Sequence, residues 1–392
     1  MSSLKKEAKK YATSILSALL LVLISVMPHR GAPTVDASAG TQADIGVSLF
    51  VGSGLSSKPS LSARSAVLIE CESGRAVFER NAHAKMPMAS TTKIMTALVV
   101  LDNARLSDTV KIPREACGIE GSSVYLREGE EFTVEELLYA LMLASANDAA
   151  AALAIHVSGS IEAFAERMNE CARDLGLQST HFTNPHGLND ENHYTTAYEL
   201  ALIARAASKN DTFRKITSTQ RTVIRRHSKE SARLLTNHNK LLRSYDGCFG
   251  IKTGFTKASG RCLVSGAERD GTSFIAVTLD APDDWNDHRA LFDAAFSQYK
   301  RATVLEDGGT EYRLPISGGY QENVLCRSVG RVSLICDKDT YPEITFKIYA
   351  RHLTLAPISA GDVVGRVVIL YNGGVIAQCE LRAVYSAAKR KN

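Results

Sequence analysis

Hydrophobic residues are spaced so that two strands precede a long helical block. Residues 65–70 and 76–79 are strand-like segments that flank a Cys-Glu-Ser-Gly turn, which is typical of a β-hairpin. From Ser90 onward the apolar positions recur at the spacing of one helix face. Further helices are predicted after the capping box of Thr133 and Glu136, over 147–157, over 161–175, and after the cap formed by Thr196 and Glu199.

Strands return after this helical block. Residues 261–268 and 272–279 flank an Asp-Gly dipeptide, which favours a tight hairpin turn. The segment 285–299 again has helical spacing. Residues 63–300 are therefore predicted to form one α+β domain, in which an antiparallel sheet carries packed helices and a helical subdomain.

After Lys300 the helical spacing disappears, and apolar segments of strand length follow one another between turn residues. The strand-like segments are 324–335, 343–350, 365–371 and 375–383. This pattern predicts a second, all-β domain over 301–386, followed by a short basic tail over 387–392.

The first 39 residues have the composition of an export signal. Four lysines precede an apolar run from Ala12 to Met27, and a small-residue sequence, Ala-Ser-Ala, ends at residue 39. Residues 1–39 are therefore predicted to be a signal peptide. An uncleaved anchor is the alternative, because the gap between the apolar run and the cleavage pattern is long. The Gly-, Ser- and Ala-rich residues 40–62 are predicted to form a linker.

The charge balance argues against a nucleic-acid partner. The 392-residue chain has a formal net charge of +4. Residues 1–39 hold five basic and two acidic residues, which accounts for +3 and leaves only +1 for the remainder. Nucleic-acid binding requires a clustered basic surface, and this remainder does not supply one.

Three short clusters that carry chemistry follow one another along the chain. The SxxK and SxN patterns also occur elsewhere, at Ser2, Ser3, Ser297 and Ser208, so each pattern alone is a weak signal. Sequence context distinguishes the candidate clusters from these chance matches. The candidate SxxK cluster opens a predicted helix, and the candidate SxN cluster lies between two apolar helices. The clusters are Ser90-Thr91-Thr92-Lys93, Ser145-Ala146-Asn147 and Lys252-Thr253-Gly254, of which the last pattern occurs once.

These residue types suit nucleophilic catalysis. A serine hydroxyl becomes a good nucleophile only when a neighbour takes its proton. On a helix that begins at Ser90, Lys93 lies one turn further on the same face. Burial among apolar side chains would lower the pKa of Lys93 enough for it to act as the base. The backbone N–H of Ser90 at the helix start is placed to stabilise an oxyanion.

In these clusters and their order, the chain resembles the serine D-alanyl-D-alanine carboxypeptidases, which are the low-molecular-mass penicillin-binding proteins of peptidase family S11. The segments 184–188, 194–197, 287–293 and 360–373 are also similar to that family. The resemblance implies a penicillin-binding-protein/β-lactamase-like transpeptidase domain followed by a small all-β domain. It also implies an enzyme without a cofactor or a metal.

The resemblance assigns the catalytic roles. Ser90 would be the nucleophile and Lys93 its base, and Ser145 would pass a proton to the leaving amine. The substrate-binding residues would be Asn147, Lys252, Thr253, Gly254 and Phe255. Among them, Lys252 and Thr253 would meet the substrate carboxylate, and the backbone N–H of Phe255 would be the second oxyanion donor.

The implied substrates are peptidoglycan stem peptides that end in D-Ala-D-Ala, and β-lactam antibiotics would be covalent inhibitors. We therefore expect the enzyme to work outside the cytoplasm, in the cell wall or at the outer face of the cytoplasmic membrane. Many relatives end in a long amphipathic helix that lies on the membrane. The short basic tail here instead predicts release, or attachment through an uncleaved N-terminus, and leaves peripheral membrane association open.

Two alternative functions share these clusters. A class A-like β-lactamase needs a glutamate that activates water. The nearby pair Glu166 and Asn169 falls inside the predicted helix 161–175 and is interpreted as a solvated helix face. A non-catalytic cell-wall-binding module is the other alternative, and the intact Ser90 and Lys93 argue against it.

Other candidate chemistry is weaker. His181, His186 and His193 lack the helical pairing of a zinc motif and are predicted to be polar loop residues. The eight cysteines contain no CxxC motif. Most of them are predicted to be small buried residues, with disulfides of undetermined pairing as the alternative.

Overall fold

The computed structural model describes residues 46–225, 232–340 and 343–391. The predicted signal peptide and the first residues of the predicted linker lie outside the described residues. Within the described ranges, no helix is both long and apolar enough to cross a membrane.

The strands are β1 Gly46–Phe50, β2 Ser65–Glu70, β3 Ala76–Arg80, β4 Thr109–Lys111, β5 Glu131–Thr133, β6 Arg221–Ile224, β7 Arg233–Thr236, β8 Cys248–Thr256, β9 Gly260–Arg269, β10 Thr272–Leu279, β11 Tyr299–Leu305, β12 Glu311–Ser317, β13 Asn323–Ser328, β14 Arg331–Asp337, β15 Ile344–Ala350, β16 Thr354–Leu355, β17 Val363–Tyr371 and β18 Gly374–Ala383. The helices are α1 Lys93–Asn103, α2 Val134–Leu143, α3 Asn147–Ser158, α4 Ile161–Asp174, α5 Ala197–Ser208, α6 Asp211–Ser218, α7 Leu241–Ser244 and α8 Asp284–Gln298, with 3₁₀ turns at Ala89–Thr92 and Arg114–Ala116.

A five-stranded antiparallel sheet, in the order β3-β2-β10-β9-β8, is the centre of the catalytic part. Strand β2 is covered on both faces, since all six of its residues are buried. Val67 and Ile69 point into the core shared with the helical block, whereas Ala66 and Leu68 point into the core shared with α8. The sheet is therefore packed between two helical layers, which confirms the predicted α+β fold class.

The helices of the block begin where the sequence signals place them. Thr133 and Glu136 form the predicted capping box at the start of α2. The side chain of Thr196 accepts a hydrogen bond from the backbone of Glu199 at the start of α5. These local contacts satisfy N–H groups that a helix terminus otherwise leaves without partners.

The C-terminal part consists of two sheets. One has the order β1-β14-β11 and the other the order β15-β17-β18-β13-β12-β16. Leu305 and Val332 of the first sheet pack against Ile369 and Cys379 of the second, so a small apolar core lies between the sheets.

The structure departs from the sequence-based boundaries in the linker and in the β part. Residues 46–50, which were expected to be linker, form β1 and pair in parallel with β14, more than 280 residues further along the chain. The predicted boundary after Lys300 falls inside β11, which follows α8 without a break. The predicted strand 324–335 is two strands in different sheets, separated at Gly330, whose φ is 98°. Composition cannot reveal pairings between such distant segments.

Candidate active site

Ser90 lies on a 3₁₀ turn that leads directly into α1. The hydroxyl of Thr91 donates to the carbonyl of Met88 at 2.6 Å, and that of Thr92 donates to the carbonyl of Ala89 at 2.8 Å. Ala89 has a φ of 47°, in the left-handed region that costs a non-glycine residue free energy. The strained backbone at Ala89 and these two hydrogen bonds therefore hold Ser90 in a defined position at the start of the helix.

Lys93 follows one turn later, and its amine has three neighbours. Nζ lies 3.0 Å from Ser90 Oγ, 2.7 Å from Asn147 Oδ1 and 2.6 Å from the carbonyl oxygen of His186. The Lys93 side chain is fully buried. Burial, followed by the nearby charge of Lys252, lowers the pKa of Lys93 well below its usual value.

The segment between α2 and α3 brings Ser145 and Asn147 to the same place. Ser145 has a φ of 60°, a second strained residue beside the first. The backbone N–H of Asn147 donates to Ser122 at 2.7 Å, and its Nδ2 donates to the carbonyl of Glu120 at 2.5 Å. With its N–H groups used in this way, Asn147 has to present its oxygen to Lys93.

Strand β8 supplies the third cluster from the edge of the central sheet. Gly254 lies so close to Ser90 that an added Cβ would fall 3.0 Å from the backbone nitrogen of Ser90. The glycine therefore allows a close approach of two backbones that a side chain would crowd. Phe255 follows it with an exposed side chain, and Thr253 precedes it at the wall of the cleft.

Lys252 has a different environment from the one expected. Its side chain is 1% exposed, and Nζ donates to the carbonyl oxygen of Thr253 at 2.9 Å. Burial lowers its pKa to about 7. Among the described residues we find no hydrogen bond between this amine and Ser145 Oγ, although the two clusters border the same site.

These elements enclose a cleft of about 330 Å³. Ser90, Ser145, Thr253, Gly254 and Phe255 are all part of its wall. The other lining residues lie outside the three sequence clusters, and they are Ser122, His238, Arg261, Asp284 and Trp285.

Asp148 was also missed, and it fixes the loop that carries Ser122. Its fully buried carboxylate accepts hydrogen bonds from the hydroxyl of Ser123 at 2.6 Å and from the backbone of Leu126 at 2.9 Å. Arg233 holds the same loop from the other side, donating to the carbonyl of Val124 at 2.7 Å. The sequence signal that could have identified Asp148 is its position directly after the SxN cluster.

Two of the candidate histidines are buried supports rather than polar loop residues. His193 accepts a hydrogen bond from the backbone of Thr183 at Nδ1, so Nε2 carries the proton and donates to Thr92 at 2.8 Å. Burial lowers its pKa to about 4. His186, whose carbonyl holds Lys93, has a pKa lowered to about 3 by the same cause.

The metal and disulfide alternatives can be compared with the described residues. Within these, no group of three His, Cys, Asp or Glu side chains is arranged to hold a metal ion. The cysteines that the structure describes are free thiols.

The two residues weighed as a β-lactamase pair are on α4. Glu166 is exposed, as expected of a solvated helix face. Asn169 is instead buried, and it exchanges hydrogen bonds with the backbone of Phe182 at 2.8 and 2.9 Å. Neither residue belongs to the wall of the cleft.

Comparison with known proteins gives a consistent result. The family model described as D-alanyl-D-alanine carboxypeptidase, peptidase S11, matches residues 54–283. The chain is 33% identical to D-alanyl-D-alanine carboxypeptidase DacF of Bacillus subtilis, over 82% of this chain and 85% of the relative.

Solved structures are similar as well. Penicillin binding protein 5 of Haemophilus influenzae has a TM-score of 0.64 and 26% identity, covering 85% of this chain and 99% of the other. A DD-transpeptidase of Streptomyces K15 has a TM-score of 0.59 and 32% identity, covering 61% of this chain and 99% of the other.

Proposed function

The chain belongs to the peptidase S11 family of D-alanyl-D-alanine carboxypeptidases, and on that premise we propose that it is a serine enzyme that removes the terminal D-alanine from peptidoglycan stem peptides through an acyl-Ser90 intermediate. Penicillins would react with the same serine and stay attached to it. The observation that carries this proposal is the arrangement of the three groups around Lys93 Nζ.

That arrangement supports Lys93 as the base. Asn147 Oδ1 and the carbonyl oxygen of His186 can only accept hydrogen bonds. A neutral amine has two N–H groups for these two acceptors, and its lone pair then faces Ser90 Oγ at 3.0 Å. Because burial favours the neutral amine, Lys93 can take the hydroxyl proton as Ser90 attacks the substrate carbonyl.

The tetrahedral intermediate requires donors for its oxyanion. The backbone N–H of Ser90 at the helix start and that of Phe255 on β8 are the candidates. The close approach of Gly254 to Ser90 supports this assignment, because it places the two backbone segments side by side. A side chain at position 254 would crowd the backbone nitrogen of Ser90, 3.0 Å from its Cβ.

Breakdown of the intermediate requires a proton for the departing D-alanine amine. Ser145 lines the same cleft as Ser90, and its hydroxyl is the candidate relay from Lys93. The bond between the acyl carbon and this nitrogen then breaks and leaves an ester on Ser90. Water subsequently hydrolyses the ester, which releases the shortened peptide and restores the hydroxyl.

The class A β-lactamase alternative is not favoured, because the relatives are carboxypeptidases and Glu166 lies away from the cleft. The composition of residues 1–39 supports export, so we place the enzyme outside the cytoplasm, in the cell wall or at the outer face of the membrane. Peripheral attachment to that membrane belongs to the same proposal.

The proposal is tested by Ser90→Ala in a D-alanine release assay with a tripeptide that ends in D-Ala-D-Ala. We expect the variant to fold with an unchanged circular dichroism spectrum and to release no D-alanine. Ser297→Ala, at an SxxK repeat outside the cleft, is the matched control and should keep full activity. Release of D-alanine by the Ser90→Ala variant would refute the assignment.

A further inference from the structure

The charge that meets the substrate carboxylate does not have an obvious source in Lys252. Its amine is buried, its hydrogen bond goes to the backbone of Thr253, and burial holds its pKa at about 7. This amine does not line the cleft, and with a pKa of about 7 it is protonated in only part of the molecules at neutral pH. A free carboxylate is bound most strongly by a charged donor that reaches it directly, and a guanidinium can form two parallel hydrogen bonds to it.

Arg261 meets both requirements. It lies on β9 directly opposite Phe255, so it shares a face of the sheet with Thr253, two residues away on β8. Its side chain is 42% exposed, and it lines the same cleft as Ser90 and Thr253. Among the lining residues that the structure describes, it is the permanently charged cation. His238, whose pKa is lowered by burial, is neutral at pH 7.

The position of the guanidinium is fixed from the side of α8. Nη2 of Arg261 donates to Asp284 Oδ1 at 2.8 Å, and the carboxylate of Asp284 is 3% exposed. The ring of Trp285 lies next to it, with its centre 5.9 Å from the guanidinium carbon. Asp284 uses one N–H group, and a guanidinium has further donors in a planar fork that matches a carboxylate.

We propose that Arg261 is the specificity-determining residue that binds the free C-terminal carboxylate of the substrate together with Thr253, and that Asp284 is the positioning residue that holds its guanidinium toward the cleft. This inference rests on the proposed carboxypeptidase function and replaces the role that the sequence analysis gave to the charge of Lys252. A peptide whose C-terminus is an amide lacks the charge and cannot accept two parallel N–H bonds, so it should bind poorly.

The experiment compares D-alanine release from the free-acid tripeptide with release of D-alaninamide from its C-terminal amide, in the wild type and in variants. We expect Arg261→Gln to lower kcat/KM for the free acid by roughly 30-fold or more, mainly through KM, because a charged bidentate contact is lost. For the amide we expect less than about a threefold change. Arg261→Lys should keep part of the preference, because it keeps the charge and loses the fork.

Asp284→Asn tests the positioning role. It should raise KM for the free acid to a value between those of the wild type and Arg261→Gln, with kcat nearly unchanged. The matched control is Lys240→Gln, because Lys240 is an exposed lysine whose Nζ lies 6.0 Å from the centre of the same Trp285 ring but which is outside the cleft wall. This control should leave both substrates unaffected.

A pH series gives a second readout that does not depend on folding of a variant. With Arg261 as the cation, KM of the wild type for the free acid should stay flat between pH 6.5 and 9, since arginine does not titrate there. With Lys252 as the cation, KM would rise above pH 7 as that amine loses its proton.

The outcomes distinguish a failure of the proposed function from a failure of the assignment to Arg261. If the wild type releases no D-alanine from the free-acid peptide, the proposed function itself fails. If the wild type is active and Arg261→Gln keeps its preference for the free acid, or if KM rises above pH 7, only the assignment to Arg261 is overturned.

Discussion

At the scale of single residues, the proposed role of Lys93 as base requires its amine to be neutral before it takes the proton of Ser90. Lys93→Arg keeps the positive charge but cannot supply a base, because a guanidinium stays protonated in the working pH range. We expect penicillin acylation to fall by at least about a hundredfold, the usual size of a general-base contribution. Stopped-flow acylation measures this, with Lys257→Arg on the exposed β8–β9 turn as the control. An acylating Lys93→Arg enzyme would exclude Lys93 as the base.

The buried amine of Lys252 should also lower the free energy of unfolding. Its pKa is about 7 when folded and 10.5 when unfolded, so the unfolded chain binds more protons between these values. The penalty is therefore complete below pH 7, about 5 kcal/mol, and disappears as the pH rises toward 10.5. Lys252→Met should be more stable than the wild type, and its advantage should shrink by about 2 kcal/mol from pH 7 to pH 9.

Urea unfolding at the two pH values measures that advantage. Lys240→Met, which removes an exposed lysine, should show no such trend. If the stability difference between Lys252→Met and the wild type stayed constant or grew with pH, the pKa of the buried Lys252 amine could not be lowered in the folded protein.

The sequence predicted the residues whose spacing is local, and it missed those that meet through the fold. Ser90 and Lys93 lie one helical turn apart, so their contact follows from the chain itself. Arg261 and Asp284 are separated by 23 positions and meet only because α8 packs on β9. Thr92 and His193 are separated by 101 positions. Distances of this kind leave no periodic signal.

At the scale of elements, the loop 184–188 packs against the 3₁₀ turn that carries Ser90 and against α1. Asn184 Oδ1 accepts a hydrogen bond from the backbone of Gly187 at 2.7 Å, and Thr96 on α1 donates to the carbonyl of Pro185 at 2.6 Å. Gly187 has a φ of 86°, and an added Cβ would fall 2.0 Å from the carbonyl oxygen of Ala89. The loop and the turn can therefore pack together only with glycine at this position.

Gly187→Ala should lower penicillin acylation by more than about tenfold, because it displaces the turn that holds Ser90, and it should also lower Tm. Gly176→Ala is the matched control, since it has a φ of 76° but no atom within 4 Å of the added Cβ. That control should lose about 1 kcal/mol of stability and keep its acylation rate. Equal acylation by both variants would show that the loop does not position Ser90.

The elements themselves differed in how far they could be predicted. Helices α2 and α5 begin at capping residues that can be recognised in the sequence. Hairpins with tight turns can be recognised from their turn residues in the same way. Strand β1 lies in a segment whose composition predicts a linker, because its partner strand is distant in the chain. The hairpin of β6 and β7 gives no clear sequence signal, because both strands are short and contain polar residues.

At the scale of the whole molecule, β1 ties the start of the described chain to the C-terminal sheet. Phe50 at its end contacts Tyr299 edge to face, with ring centres 5.2 Å apart, inside the core that also holds α8. Phe50→Ala should therefore lower the free energy of unfolding by about 3 kcal/mol.

The folded Phe50→Ala protein should keep its acylation rate, because neither Phe50 nor its ring partner Tyr299 lines the cleft. Urea unfolding and penicillin acylation on the same preparation measure both effects. Phe346→Ala on the exposed edge strand β15 is the control and should be nearly neutral. A loss of stability no larger than that of the control would mean that β1 is not anchored there.

The central claim is that Ser90 forms a long-lived acyl-enzyme with penicillins. Mass spectrometry of the intact protein after incubation with benzylpenicillin, followed by peptide mapping and a time course after removal of the drug, tests it most directly. We predict one adduct per chain, located on the peptide that contains Ser90, which outlasts many turnovers of the peptide substrate. An adduct at another serine, no adduct, or rapid destruction of the drug without an accumulating adduct would contradict the account.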